Sequence, residues 1–271
     1  MTTSTLDGTY NFRDVGGMPL IAGGTTTPGI LYRSDALSEL TPTGLEELAA
    51  SDIGVIVDFR TAMERQMAPD RLPSARPFEI IELPLLEGAF AGAAQQAAQA
   101  AAAAGPEAAE AANEAIADAV AHMPTLGEIY IGMLEHAADA FAQVARRVSV
   151  ATAEPPTAVL VHCSAGKDRT GVACALMLDA VGVQRDAIIA DYISSEANLA
   201  GEWAAKVFAR VTQSGVPLTP AITTIIAGTP RAALEQAFAW IDERRGDSAS
   251  YLRSGGLTDA ELAVLRARLT T

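Results

Sequence analysis

"TAVLVHCSAGKDRTGVACALMLDAVG", residues 157–182, joins two kinds of pattern. Its first six residues are mostly apolar and include two valines, which suits a buried strand. From Thr170 onward the residues are small and apolar, with no breaker before Gly182, which suits a buried helix over 170–181. Between the two lies Cys163, one of only two cysteines in the chain. A thiol at the junction of a strand and a helix, followed by glycine, lysine and arginine, asks for a chemical explanation.

Ser164, Ala165, Gly166, Lys167 and Asp168 separate Cys163 from Arg169. A loop of that length can curl so that its backbone N–H groups point inward, making a concavity for an anion with three or four oxygens. It opens onto a helix N-terminus, whose unpaired N–H groups and dipole add positive potential. Gly166 permits a tight or left-handed turn. Arg169 offers two parallel donors to equatorial oxygens. The same field favours thiolate over thiol, so Cys163 is expected to be an anion at neutral pH and a strong nucleophile. His162 is expected to orient the cysteine through backbone hydrogen bonds, and Thr170 to donate its hydroxyl to the sulfur.

These residues imply in-line attack of sulfur on phosphorus, with Arg169 and the loop amides holding the equatorial oxygens. Water then hydrolyses a phosphocysteine. A general acid must protonate the leaving oxygen in the first step. No cluster of His, Cys and carboxylates stands at ligand spacing, so neither metal nor cofactor is expected. Competing readings are weaker. A Walker loop needs glycine where Val161 stands, and Ser or Thr where Asp168 stands. A sulfurtransferase would use a shorter loop. An arsenate reductase needs further redox thiols, and only Cys174, expected to face the core, is available. A buried structural cysteine would leave Arg169 unexplained.

The rest of the chain frames that loop. "YNFRDVGGMPL" (10–20) and "GILYRSDA" (29–36) read as short strands around a turn. "SDALSELTPTGLEELAASDIG" reads as helical, with Thr41 and Pro42 at N-cap and N1. "VIVDFR" (55–60) and "FEIIELPLL" (78–86) read as strands. "LGEIYIGMLEHAADAFAQVARRV" reads as one amphipathic helix before the strand at 158. Helices are expected over 170–181, 184–199, 201–213, 218–227, 230–244 and 258–269. Residues 88–121 are alanine-dominated, broken at Gly105-Pro106, and read as two weakly anchored helices forming a cover or a surface insertion. Strands clustered before Cys163 with helices around them indicate an α/β sheet domain.

Gross composition narrows the partners. The chain has 271 residues, suiting one domain, and 49% are hydrophobic, enough for a sizeable core. Its 19 basic and 33 acidic residues leave a formal charge of -14. Such a surface repels nucleic acid and anionic membranes at long range, so an anionic substrate must be captured locally. The start lacks the features of a signal peptide and no apolar run suits a spanning helix, so no stable membrane insertion is expected. With Cys163 and Cys174 too far apart to bridge, a reducing cytoplasm is the natural compartment. Export without a recognisable signal peptide is the alternative.

"HCSAGKDRTG" (162–171) is the signature loop of cysteine-dependent phosphatases, and the chain resembles the atypical bacterial tyrosine and phosphoinositide phosphatases. "YNFRDVGG" (10–17), "LYRSDALSEL" (31–40), "VIVDFRTAMER" (55–65), "ADYISSEANL" (190–199) and "YLRSGGLT" (251–258) are similar to segments of that family, in family order. The resemblance covers nearly the whole chain except the alanine-rich insert at 88–121, and implies a single tyrosine-phosphatase-like α/β domain over 1–271 with helical lids above the pocket. It implies that Cys163 is the nucleophile, Arg169 the phosphate binder and Asp168 the acid, with Ser164, Ala165, Gly166, Lys167 and Thr170 lining the substrate. Lys167 would suit a second phosphate at the loop rim. Glu87 is the alternative acid, because a loop aspartate of this branch aligns near "LPLLEG". Asp58 and Arg60 end a strand where α/β sites form. Arg60 would help hold substrate or bind Asp168, or else form with Asp58 a pair that fixes the sheet edge. Arg13 and Asp14 are expected to close the N-terminal hairpin, and His122 and His136 to be surface or packing residues. The implied substrates are phosphotyrosine proteins, then phosphoinositides. A phosphatase of one small metabolite and a non-catalytic phospho-ligand binder are the alternatives.

Overall fold

The computed structural model describes residues 5–85, 123–150, 158–213 and 216–270. The alanine-rich insertion at 88–121 and Glu87 lie outside the described residues. In chain order the elements are β1 (Arg13–Asp14), β2 (Leu31–Ser34), a short 3-10 turn (Leu37–Glu39), α1 (Pro42–Ala50), β3 (Ile53–Asp58), α2 (Ala62–Met67) and β4 (Glu79–Glu82). Then follow α3 (Leu126–His136), α4 (Ala138–Ser149), β5 (Ala158–His162), α5 (Asp168–Ala180) and α6 (Arg185–Leu199). The chain continues through α7 (Glu202–Gln213), α8 (Pro220–Ala227), α9 (Arg231–Arg245), α10 (Ser248–Ser254) and α11 (Asp259–Leu269).

The five strands form one sheet in the order β1-β2-β5-β3-β4, parallel except for the edge pair β1–β2. Strand β5, which leads into Cys163, is therefore central. Alternation along its strands divides two cores. Leu31, Val57, Val159 and Val161 face a large core with the helices that follow β5. Tyr32, Ile56, Ala158 and Leu160 face a smaller one with Leu37, Leu40 and Leu48. Helix α5 lies in the large core with all but Asp179 of its residues buried, which is why its sequence is small and apolar.

Register decides what the sheet offers at its carboxyl edge. Ser34, His162 and Asp58 lie on one row across β2, β5 and β3. The loops leaving those three positions converge over the end of the central strand, where sites of parallel sheets form.

Three local expectations change. The amphipathic stretch at 126–148 is two helices, because Ala137 leaves helical geometry at φ -124, ψ 23. The Leu134 carbonyl beside this break accepts from the Tyr251 hydroxyl at 2.9 Å, and α4 turns away to pack on α10 and α11. Helix α2 lies just beyond the strand expected over 55–60, in a stretch for which no element was expected. Its Thr61–Glu64 capping box is intact, with Thr61 N–H donating to Glu64 Oε2 at 2.8 Å. Helix α10 is likewise short, and its cap comes from the Asp247 side chain.

Candidate active site

The loop from His162 to Thr170 runs from the end of β5 into the first turn of α5. Cys163 and Arg169 are both buried, at 1% and 2% exposure. Gly166 has φ +64, a left-handed conformation that favours glycine. A Cβ there would also fall inside contact distance of the Ser34 carbonyl at the end of β2. The turn therefore needs glycine for its backbone angle and for its space.

Arg169 is held by a residue that sequence reasoning missed. Glu64, on α2, accepts from Arg169 Nη2 at 2.7 Å and Nη1 at 2.9 Å. It also accepts from the Ser164 hydroxyl at 2.6 Å. Burial works against its charged form, but the hydrogen bonds and charge of Arg169, aided by Ser164 and the Thr61 N–H, pull it down to about 2. The capping box was the available signal: it fixes Glu64 at the third helical position, from which it reaches the loop.

Asp168 opens α5, nearly buried. Its Oδ1 accepts from the Tyr130 hydroxyl at 2.5 Å and lies 3.3 Å from Lys167 Nζ. Tyr130 and Tyr192 share a hydrogen bond of 2.7 Å. Burial, with the Asp168 charge nearby, pushes both phenols above their ordinary range, so both stay protonated as donors. Neither tyrosine was singled out from sequence, since each reads as core.

Lys167 is fully buried. Its ammonium donates to the carbonyls of Ile225 and Gly228, each at 2.8 Å, at the C-terminal end of α8. This differs from the rim position expected for a second phosphate. The helix end supplies unpaired carbonyls that a buried ammonium needs.

Arg60 does not reach Asp168. It is buried against Asp58, with Nη2 donating to Asp58 Oδ2 at 2.8 Å and to Asp70 Oδ2 at 2.6 Å. Burial alone would raise Asp58, yet Arg60 holds it below the usual carboxylate range. The sheet-edge pair is thus the arrangement formed, extended by Asp70. His162 Nε2 lies 3.4 Å from Asp70, and its Nδ1 lies 3.4 Å from the Cys163 carbonyl. Asp58, Asp70 and His162 bring donor atoms within 4.8 Å of one another. The Arg60 guanidinium already lies on both carboxylates, so the cation of this cluster is covalently tethered.

The Thr170 hydroxyl is buried and makes no hydrogen bond among the described residues. The expected donation to sulfur is not formed in this geometry. Cys174 lies in the core, and burial raises its thiol to about 11. Arg13 bonds Asp191 at 2.6 Å, on α6, whereas Asp14 closes the hairpin by accepting from Gly16 and Gly29 N–H. His136 ends α3, and His122 lies outside the described residues.

With this geometry in place, residues 4–271 of the chain match a family model described as the tyrosine phosphatase family. The chain belongs to the tyrosine phosphatase family. A Cupriavidus necator protein carried under a tyrosine-protein phosphatase name is 30% identical over 257 residues, 94% of this chain and 84% of its own. The triple specificity protein phosphatase PtpB of Mycobacterium tuberculosis is 29% identical over 287 residues, 98% of each chain. A tyrosine-protein phosphatase of Nostoc commune is 28% identical, over 88% of this chain and 73% of its own. This member of the tyrosine phosphatase family is a cysteine-dependent phosphatase with a central five-stranded sheet flanked by helices. Among the described residues no helix is long and apolar enough to cross a membrane.

Proposed function

We propose that this phosphatase hydrolyses phosphotyrosine through a phosphocysteine formed on Cys163. Phosphoinositides, within the reach suggested by the triple-specificity name of the mycobacterial relative, are the next substrates. The observation that carries the reading is the burial of the nucleophile: Cys163 is 1% exposed at the start of its loop. A phenyl ring holds a phosphoryl group farther from its own backbone than a serine side chain does, which suits a buried sulfur.

The sulfur attacks phosphorus in line with the leaving phenoxide, forming the S–P bond as the P–O bond breaks. Arg169 and the amides of Ser164 to Asp168 hold the equatorial oxygens. Glu64 keeps the guanidinium plane facing the loop. Asp168 gives a proton to the phenoxide from Oδ2, since Oδ1 is engaged by Tyr130. Asp168, now a carboxylate, takes a proton from a water as that water attacks phosphorus; the P–S bond breaks, returning the thiolate and releasing phosphate. Glu87 is the alternative acid. The chain would act as one domain, with 88–121 as a cover: shortened variants should fold yet change KM. Two unpaired cysteines suit a reducing cytoplasm, and cell fractionation would separate this from export.

The test is turnover of p-nitrophenyl phosphate in the presence of a chelator, by wild type and Cys163→Ser. Loss of turnover in the variant is expected; retained turnover sinks the phosphocysteine. A panel of phosphopeptides, inositol phosphates and small metabolites then ranks substrates. High kcat/KM for a single metabolite would replace phosphotyrosine, and ligand capture without turnover would leave a binding module.

A further inference from the structure

The carbonyls of the loop are held from behind by groups outside it. Ala36 N–H donates to the Ser164 carbonyl at 3.2 Å. Asn11 Nδ2 donates to the carbonyls of Ala165 and Gly166, each at 3.0 Å. Arg33 Nη2 donates to the Gly166 carbonyl at 2.7 Å and lies 3.3 Å from that of Lys167. Four consecutive carbonyls are therefore turned toward the scaffold. In a planar trans peptide the C=O of one residue and the N–H of the next point in opposite directions. Holding those carbonyls outward aims the N–H groups of Ala165, Gly166, Lys167 and Asp168 the other way, into the concavity.

We infer that Asn11 and Arg33 are positioning residues that set the direction of the loop amides and thereby the affinity of the site for a tetrahedral oxyanion. The inference rests on the reading of this loop as the phosphate site. Both residues are buried, at 0% and 1% exposure, and both are fixed in turn. Asn11 Oδ1 accepts from Arg13 Nη1 at 2.5 Å and from Asn198 Nδ2 at 3.1 Å, which orients the amide so that its NH2 group faces the loop. The Asn11 backbone N–H donates to Asp35 at 2.9 Å. Arg33 is anchored by Asp191 at 2.6 Å. The "NFRD" and "LYRSD" segments thus converge on the back of the loop from β1 and β2. Both donors of the Asn11 amide are used, so a shorter side chain there leaves the Ala165 carbonyl without its donor and the Gly166 carbonyl held by Arg33 alone, which loosens the N–H groups that follow.

The test is Asn11→Ala, with tungstate as the probe anion. Tungstate affinity by calorimetry should fall at least about tenfold, less than the ~10²–10³ seen when an oxyanion donor is deleted outright. The rate of Cys163 alkylation by iodoacetate at pH 6 and the kcat/KM for p-nitrophenyl phosphate should fall by a similar factor, with thermal melting changed by only a few degrees. A purely structural role would move melting and leave tungstate binding by the folded fraction alone. Folded Asn11→Ala with wild-type tungstate affinity overturns the inference. If that variant does not fold, Asn198→Ala decides, because Asn198 is exposed on α6. It should bind tungstate about two- to fivefold more weakly, and unchanged binding overturns the inference. Cys163→Ser in the same assay separates the two layers. It should bind tungstate without turnover, whereas turnover by that variant would remove the nucleophile assignment and leave the amide clamp to be judged on binding.

Discussion

Glu64 spans both terminal nitrogens of Arg169, at 2.7 and 2.9 Å, and takes the Ser164 hydroxyl at 2.6 Å. One carboxylate on a six-residue helix thereby fixes Arg169 and the residue that follows the nucleophile, Ser164. A guanidinium on a flexible stem loses rotamer freedom when it binds an anion. Glu64 removes that freedom beforehand.

Glu64→Gln should lower kcat/KM for aryl phosphates by about 10- to 100-fold, the equivalent of one charged hydrogen bond of ~1.5–3 kcal/mol. Glu64 is held at about 2, against an ordinary 4.5. Its contribution to stability is therefore complete above about pH 4.5 and is lost as pH falls toward 2. The acid limb of the activity profile must come from another group. A pH–rate profile of the variant checks this, and a shifted acid limb would contradict it.

Asp168→Asn should lose more kcat than Glu87→Gln with aryl phosphates at pH 6. Tyr130→Phe removes the 2.5 Å donor to Asp168 Oδ1 and should lower kcat several-fold. It should also cost about 1–3 kcal/mol of stability, because a buried carboxylate oxygen loses a partner. Steady-state rates and urea unfolding of the three variants test this. A larger loss in Glu87→Gln would reassign the acid.

Asp35 is 4% exposed, and burial raises it from 3.8 to about 6, although the N–H groups of Asn11 and Tyr10 oppose the rise. The folded protein binds this proton more tightly than the unfolded chain. Wild-type stability should therefore rise as pH falls through about 6 and level off below ~4, a swing on the order of 3 kcal/mol. Asp35→Asn cannot ionise and should lack that component. Its stability relative to wild type should improve between pH 5 and pH 8 in denaturant titrations. Parallel profiles would show that Asp35 does not titrate in this window.

Lys167→Met should release the C-terminal end of α8, whose Ile225 and Gly228 carbonyls the ammonium binds at 2.8 Å. Faster hydrogen exchange in 220–228 is expected, with little change in α5. Unchanged protection of α8 would mean that its packing, and not the lysine, holds it.

Much of this was legible from residues 157–182 alone. An apolar strand, a cysteine, a glycine and an arginine at fixed spacing specify a strand, an anion loop and a buried helix, because each step is local. The helices from 185 onward, apart from α10, follow from periodicity and caps in the same way. What the sequence could not disclose were the partners. Lys167 reads as a cation for substrate, and only the fold brings α8 carbonyls onto it. Arg60 reads as a candidate for Asp168, and only the segment that follows α2 brings Asp70 to it. Asn11, Arg33, Glu64, Tyr130 and Tyr192 come from five segments, each with an ordinary local pattern. Hydrogen bonds between residues some 40 to 155 positions apart leave no periodic trace along the chain. Chain-local geometry sets which groups the loop contains, and long-range packing sets which way they face.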